Sequence, residues 1–87
     1  MEDDDEAPRA VSRGAAYAYR QVADDIAARV RAGEWPFDAR LPGREELAAE
    51  YGVAERTVRR AMQVLEAEGI VVVVPAKGVY VTWAVHK

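Results

Sequence analysis

Apolar residues recur along this chain at two different periods, and the change of period divides it. From about residue 17 onward, Val22, Ile26 and Val30 fall every four residues, with Ala23 and Ala27 beside them. Arg20, Asp24, Asp25, Arg29 and Arg31 lie mostly elsewhere, so this stretch predicts an amphipathic helix, closed by Gly33. Residues 34–43 contain Pro36, Pro42 and Gly43 and predict a connector. Trp35, Phe37 and Leu41 are apolar enough to pin it to the core. A second helix is expected over 44–51, with Leu47, Ala48 and Tyr51 inward, Gly52 as its stop and Val53 packed in the turn. A third runs over 55–68 with Val58, Ala61, Met62 and Leu65 on one stripe, and Gly69 ends it. Residues 70–74 are β-branched throughout and predict a strand. Residues 75–78 read as a turn, and 79 to about 84 as a returning strand.

The order helix, helix, helix, hairpin is an α+β domain, and residues 45–65 have the makings of a helix-turn-helix. In that device the second helix of the pair docks its apolar stripe on the first and turns its N-terminal half to the major groove. The stripe on the third helix leaves Arg56, Thr57, Arg59, Arg60 and Gln63 off the buried line. Three arginines near a helix start oppose the helix dipole, which favours anions there; an anionic partner at that end would offset the cost. The following hairpin places Lys77 and Gly78 at a tip. A small residue permits close approach to a sugar–phosphate backbone, and a lysine supplies charge.

The chain's net charge of −3 runs against that picture until it is divided. Glu2, Asp3, Asp4, Asp5 and Glu6 are all in the first six residues; beyond them 12 basic residues face 10 acidic ones. The predicted organisation is therefore a flexible acidic arm over 1–14 and a mildly basic winged domain over 15–87. With no cysteine, disulfides and thiolate metal sites are excluded, and a cytoplasmic setting is expected. No apolar run approaches the roughly 20 residues of a membrane span.

Six ordered blocks then resemble the DNA-binding domain of the gluconate-repressor (GntR) family of bacterial regulators. They are Tyr19-Arg20-Gln21-Val22-Ala23, Arg31-Ala32-Gly33-Glu34-Trp35-Pro36, and Arg40-Leu41-Pro42-Gly43-Arg44-Glu45-Glu46-Leu47-Ala48. Tyr51-Gly52-Val53 with Thr57-Val58-Arg59-Arg60-Ala61, Leu65-Glu66-Ala67-Glu68-Gly69-Ile70 and Lys77-Gly78-Val79-Tyr80-Val81 complete them. The resemblance implies a three-helix winged helix-turn-helix with a C-terminal two-stranded β-hairpin wing. It also implies a double-stranded DNA operator, usually bound by a homodimer on an inverted repeat, and a repressor's role. By position it implies contacts from Thr57 and Arg59 on the recognition helix, and from Gly78 at the minor groove. Arg44, Arg56, Arg60 and Lys77 are the further DNA-binding candidates. Three departures stand out. The usual helix-two arginine has moved one residue, in Gly43-Arg44-Glu45; Ala54-Glu55 replaces a Ser-Arg pair; and Arg56 adds a cation beyond it. Family members normally continue into an effector-binding domain, and 87 residues contain no small-molecule effector site of that kind.

Nothing predicts catalysis, a cofactor or a metal. His86 is the only histidine and has no cysteine or carboxylate cluster beside it. Asp24-Asp25 and Glu45-Glu46 point to different sides of their helices, and Trp35, Tyr51 and Trp83 suit the core or its edge. A winged-helix protein-interaction module is the alternative function, since the acidic arm and Glu55 both weaken attraction for DNA. The apolar hairpin residues Val79, Val81 and Trp83 form the expected dimer patch. The arm itself has an r.m.s. reach of about 20 Å, enough to cover a basic face and compete with phosphates. Deleting residues 1–6 is then expected to tighten binding, more on random than on operator DNA and most at low salt, in a titration of both duplexes. Equal affinities before and after deletion would leave a solubilising tail.

Overall fold

The computed structural model describes residues 15–83; the acidic arm, His86 and the last residues of the expected second strand lie outside them. The described elements are α1 (Ala15–Arg31), α2 (Arg44–Tyr51), α3 (Glu55–Ala67), β1 (Val71–Val74) and β2 (Gly78–Val81). α3 is the centre of the packing. Its stripe Val58, Ala61, Met62 and Leu65 is buried against Val22, Ile26 and Val30 of α1 and Leu47 and Ala48 of α2. Burying each valine, leucine, isoleucine or methionine among them contributes roughly 1.5–3 kcal/mol, which explains why a domain this small spends its β-branched and leucine residues here.

Between α3 and β1 the chain turns within three residues. Gly69 takes φ 78°, and the N–H groups of Gly69 and Ile70 donate to the carbonyls of Glu66 and Leu65. A left-handed residue closes the last helical turn in this way and sends the next residue, Ile70, into the core. β1 and β2 pair antiparallel with Val71 opposite Val81 and Val74 opposite Gly78. Val73 N–H donates to Glu66 Oε2 at 3.2 Å, a side chain lying over the backbone of β1.

The connector holds a surprise. Residues 38–41 run along β2: Leu41 N–H donates to the Val79 carbonyl, Val81 N–H to the Ala39 carbonyl and Asp38 N–H to the Val81 carbonyl. Arg40 is bridged antiparallel to Tyr80. The wing is thus braced on its second edge by a segment whose flanking prolines predicted only a loop. Leu41 is buried and Trp35 packs against the core, as expected for pins, whereas Phe37 is 62% exposed. It precedes Asp38, whose φ of 72° turns the chain toward β2, and this directs the ring outward.

A polar cluster joins α1, the connector and α2. Arg29 donates to Glu34 through Nε at 2.9 Å and Nη2 at 2.7 Å, to Glu50 at 2.8 Å and to the Tyr51 hydroxyl at 2.7 Å. Its guanidinium also lies 4.4 Å from the centroid of the Trp35 ring. The Tyr51 hydroxyl donates in turn to Asp25. Arg29 holds the Glu34 carboxylate below its usual range, while burial, and then the bond to Asp25, push the Tyr51 phenol up to about 12. Because the folded value exceeds the ordinary one, this contribution to stability is complete below about pH 10 and is lost as pH rises toward 12. The wild type should therefore lose more stability than Tyr51→Phe between about pH 9 and pH 11, measured as urea midpoints. Parallel pH profiles for the two proteins would contradict the role given to the phenol.

Candidate nucleic-acid interface

The geometry of the outer face follows from the docking of α3. With Val58, Ala61, Met62 and Leu65 turned inward, Glu55, Arg56, Arg59, Arg60 and Gln63 are exposed. Thr57 is not. Expected off the buried line, it is 3% exposed, because at the first turn of α3 its side chain faces the packed interior with that of Val58. Its N–H donates to the carbonyl of Ala54, the residue that opens α3 and offers no side-chain cap.

The four cations of this region differ in their surroundings. The Arg60 guanidinium stacks 4.3 Å from the centroid of the Tyr19 ring on α1, which orients it along the α1–α3 seam. Arg44, at the first position of α2, lies 3.6 Å from Glu55 Oε1 at the first position of α3, with both side chains about half exposed. Arg56 is exposed in the first turn of α3, and Arg59 is exposed with no ion pair among the described residues. At the N-terminus of α2 the Gly43 N–H donates to Glu46 Oε1 at 3.0 Å, the glutamate half of a capping box, while Gly43 itself offers no side-chain cap.

At the wing, Pro75 and Ala76 make the turn, the Lys77 N–H donates to the Val74 carbonyl, and Lys77 is exposed. Ala76 has φ 65°, a left-handed conformation that a Cβ disfavours by roughly 1–2 kcal/mol. Gly78 has φ 137°, and a Cβ there would meet Arg40 Nε at 2.7 Å. Arg40 is therefore a wing residue in space, though not in sequence. Its place on the wing comes from the pairing of the connector with β2, which punctuation by Pro36 and Pro42 hides and only the alternation Ala39-Arg40-Leu41 signals. The expected dimer patch on the hairpin fails. Val81 is buried and Val79 and Trp83 pack against the core, since this face of the hairpin closes the domain over Ile70 and Leu41. Among the described residues the exposed large apolar side chains are Tyr17, Phe37 and Val73, and no helix is long and apolar enough to cross a membrane.

Three helices, a helix-turn-helix turn between the second and third, and an antiparallel hairpin define a winged helix-turn-helix, the fold of many DNA-reading domains. The family model for bacterial regulatory proteins of the gntR family matches residues 18–81, and the chain belongs to that family. It is 37% identical over 54 residues to the HTH-type transcriptional regulator TreR of Bacillus subtilis, covering 62% of this chain and 23% of that protein. Over 71 residues it is 32% identical to the histidine utilization repressor of Pseudomonas putida, covering 82% of this chain and 29% of the repressor. The chain thus spans about a quarter of the length of these curated relatives. The solved AraR(DBD) in complex with operator ORR3 superposes with a TM-score of 0.72 at 29% identity, over 75% of this chain and 78% of that one.

The crowding at Gly78 is directly testable. Gly78→Ala combines a strained φ with displacement of Arg40 and is expected to cost about 1–2 kcal/mol, lowering the thermal midpoint by roughly 5–15 °C. An unchanged midpoint would mean that Arg40 swings aside freely and does not brace the wing.

Proposed function

We propose that this chain binds double-stranded DNA sequence-specifically as the reading domain of a bacterial transcription regulator, acting as a repressor. The observation that carries the proposal is the outward row Arg56, Arg59 and Arg60 on a helix whose opposite face is wholly engaged in the core. In that arrangement α3 enters the major groove and Arg59 reaches a base edge. Arg44, Arg56, Arg60 and Lys77 take phosphates, and Gly78 lets the hairpin approach the minor groove. Arg40 joins Lys77 as a second cation of the wing. Thr57 holds the start of α3 from inside, a positioning role in place of the expected contact. The likeness to a DNA-binding domain solved on its operator and the kinship with a named repressor support the same reading.

The domain is proposed to be monomeric or weakly dimeric in solution and to pair on an inverted repeat. The few exposed large apolar side chains belong to separate elements, which supports pairing on DNA rather than before it.

Fluorescence anisotropy with mixed-sequence and library-selected duplexes tests the function. The plot of log affinity against log salt should have a slope of about −3 to −5, as four phosphate contacts require. Arg59→Ala should cost about 1–3 kcal/mol on the selected duplex and relax preference at one base pair. Absence of binding to any duplex at low salt would instead favour a protein-interaction module.

A further inference from the structure

Two side chains meet at the junction where α2 and α3 both begin. Arg44 opens α2, Glu55 opens α3, and the 3.6 Å between Nε and Oε1 makes them an ion pair between the N-terminal ends of the two helices. Resting on the DNA-binding reading, we propose that Glu55 is an affinity-setting residue. It occupies Arg44 in the free domain, and a DNA phosphate must displace it.

Three observations carry this. First, Glu55 is the only acidic residue in the first turn of α3, and the next residues outward are Arg56, Arg59 and Arg60. It is an anion at the edge of a cationic surface, where a phosphate would compete for the same partner. Second, both side chains are about half exposed, at 51% for Arg44 and 47% for Glu55. Such a pair is weak and exchanges readily, so it lowers affinity without blocking binding. Third, Glu55 has no core or capping task. Ala54 precedes it without a side-chain cap, while the other acids near α2 have such work: Glu46 closes α2 and Glu50 binds Arg29.

The pair also links the starts of both helices, so its opening would accompany docking and make Arg44 available only when a phosphate is close. The expected result is a moderate and salt-dependent brake. Removing the carboxylate should tighten binding roughly two- to fivefold at about 50 mM salt. The salt slope should change by less than ~0.9, the value of one phosphate, because Arg44 meets its phosphate in both proteins.

The experiment is an anisotropy titration of a fluorescein-labelled mixed-sequence duplex with wild type, Glu55→Gln, Arg44→Gln and the double variant. Glu68→Gln, which removes an equal charge at the far end of α3, is the control. Glu55→Ser serves as a second removal of the same carboxylate, with helicity of each variant checked by circular dichroism. Tighter binding by Glu55→Gln, and a larger loss from Arg44→Gln in the Glu55→Gln background than in wild type, supports the proposal. Wild-type binding that Glu55→Gln leaves unchanged, or matches with an equal gain in Glu68→Gln, overturns it while leaving the DNA-binding reading intact. Strict additivity of the two substitutions also overturns it. Failure of every protein to bind overturns the DNA-binding reading, and this proposal with it.

Discussion

The guanidinium of Arg29 is the joint on which the placement of the helix pair depends. Apolar packing fastens α1 to α3 and α2 to α3, and the cluster around Arg29 ties α2 directly to α1. It reaches Glu50 and Tyr51 at the last turn of α2, Glu34 in the connector and the ring of Trp35. Planar, delocalised charge suits this position: lysine could meet one carboxylate but could not fork to Glu34 while stacking on indole. Fixing the C-terminal end of α2 fixes the direction in which its N-terminal end, and hence Arg44, meets the start of α3. The joint contains none of the arginines of α3, yet it holds the end of α2 from which the chain turns into that helix.

Much of this was legible in the sequence, and the larger failures share one cause. The bounds of α2, the start of α3, the Gly69 stop and the hairpin followed from period and punctuation alone, because each is a local property of a few neighbouring residues. Long-range pairing is different. Residues 38–41 run along β2 because β2 has an unpaired edge, a fact about distant chain that no local pattern in the connector contains. The same pairing closes the domain over Val79, Val81 and Trp83, which a local reading takes for an exposed patch. Thr57 fails for a smaller reason. It stands four residues before Ala61 and eight before Leu65, so helical spacing puts it on the buried stripe, and only its polar side chain suggested otherwise.

The site was legible in kind but not in state. That arginines cluster on the outer face of α3 is visible from spacing; whether each is occupied is not. Arg60 stacks on a tyrosine about 40 residues away in the chain, and Arg44 at the start of α2 meets Glu55 at the start of α3. The shifted arginine of α2 and the acid replacing a base at α3 looked like two separate departures from the family pattern. In space they form a single contact, so neither can be assessed alone.

Charge therefore has to be read by employment as well as by position. Among the acids beyond the arm, Asp25, Glu34 and Glu50 surround the Arg29 cluster and Glu68 pairs with Arg20. Glu46 closes α2, Glu66 covers a β1 amide and Glu55 holds Arg44. Each of these carboxylates has a local partner, and all but Glu55 spend it on structure away from the row of arginines. An ion pair presents only a weak dipole to a distant phosphate, and its field fades within a Debye length of about 8 Å at physiological salt. Arg59, Lys77 and Arg40 have no ion pair among the described residues. Against these, Asp24, Asp38 and Glu45 are exposed acids with no ion pair among the described residues, so the placement of charge, and not its total, decides the field at the outer face of α3. The net charge of −3 is therefore a poor guide to what α3 presents: Arg59 and Arg60 stand exposed on its outer face, and the nearest acid, Glu55, is held by Arg44.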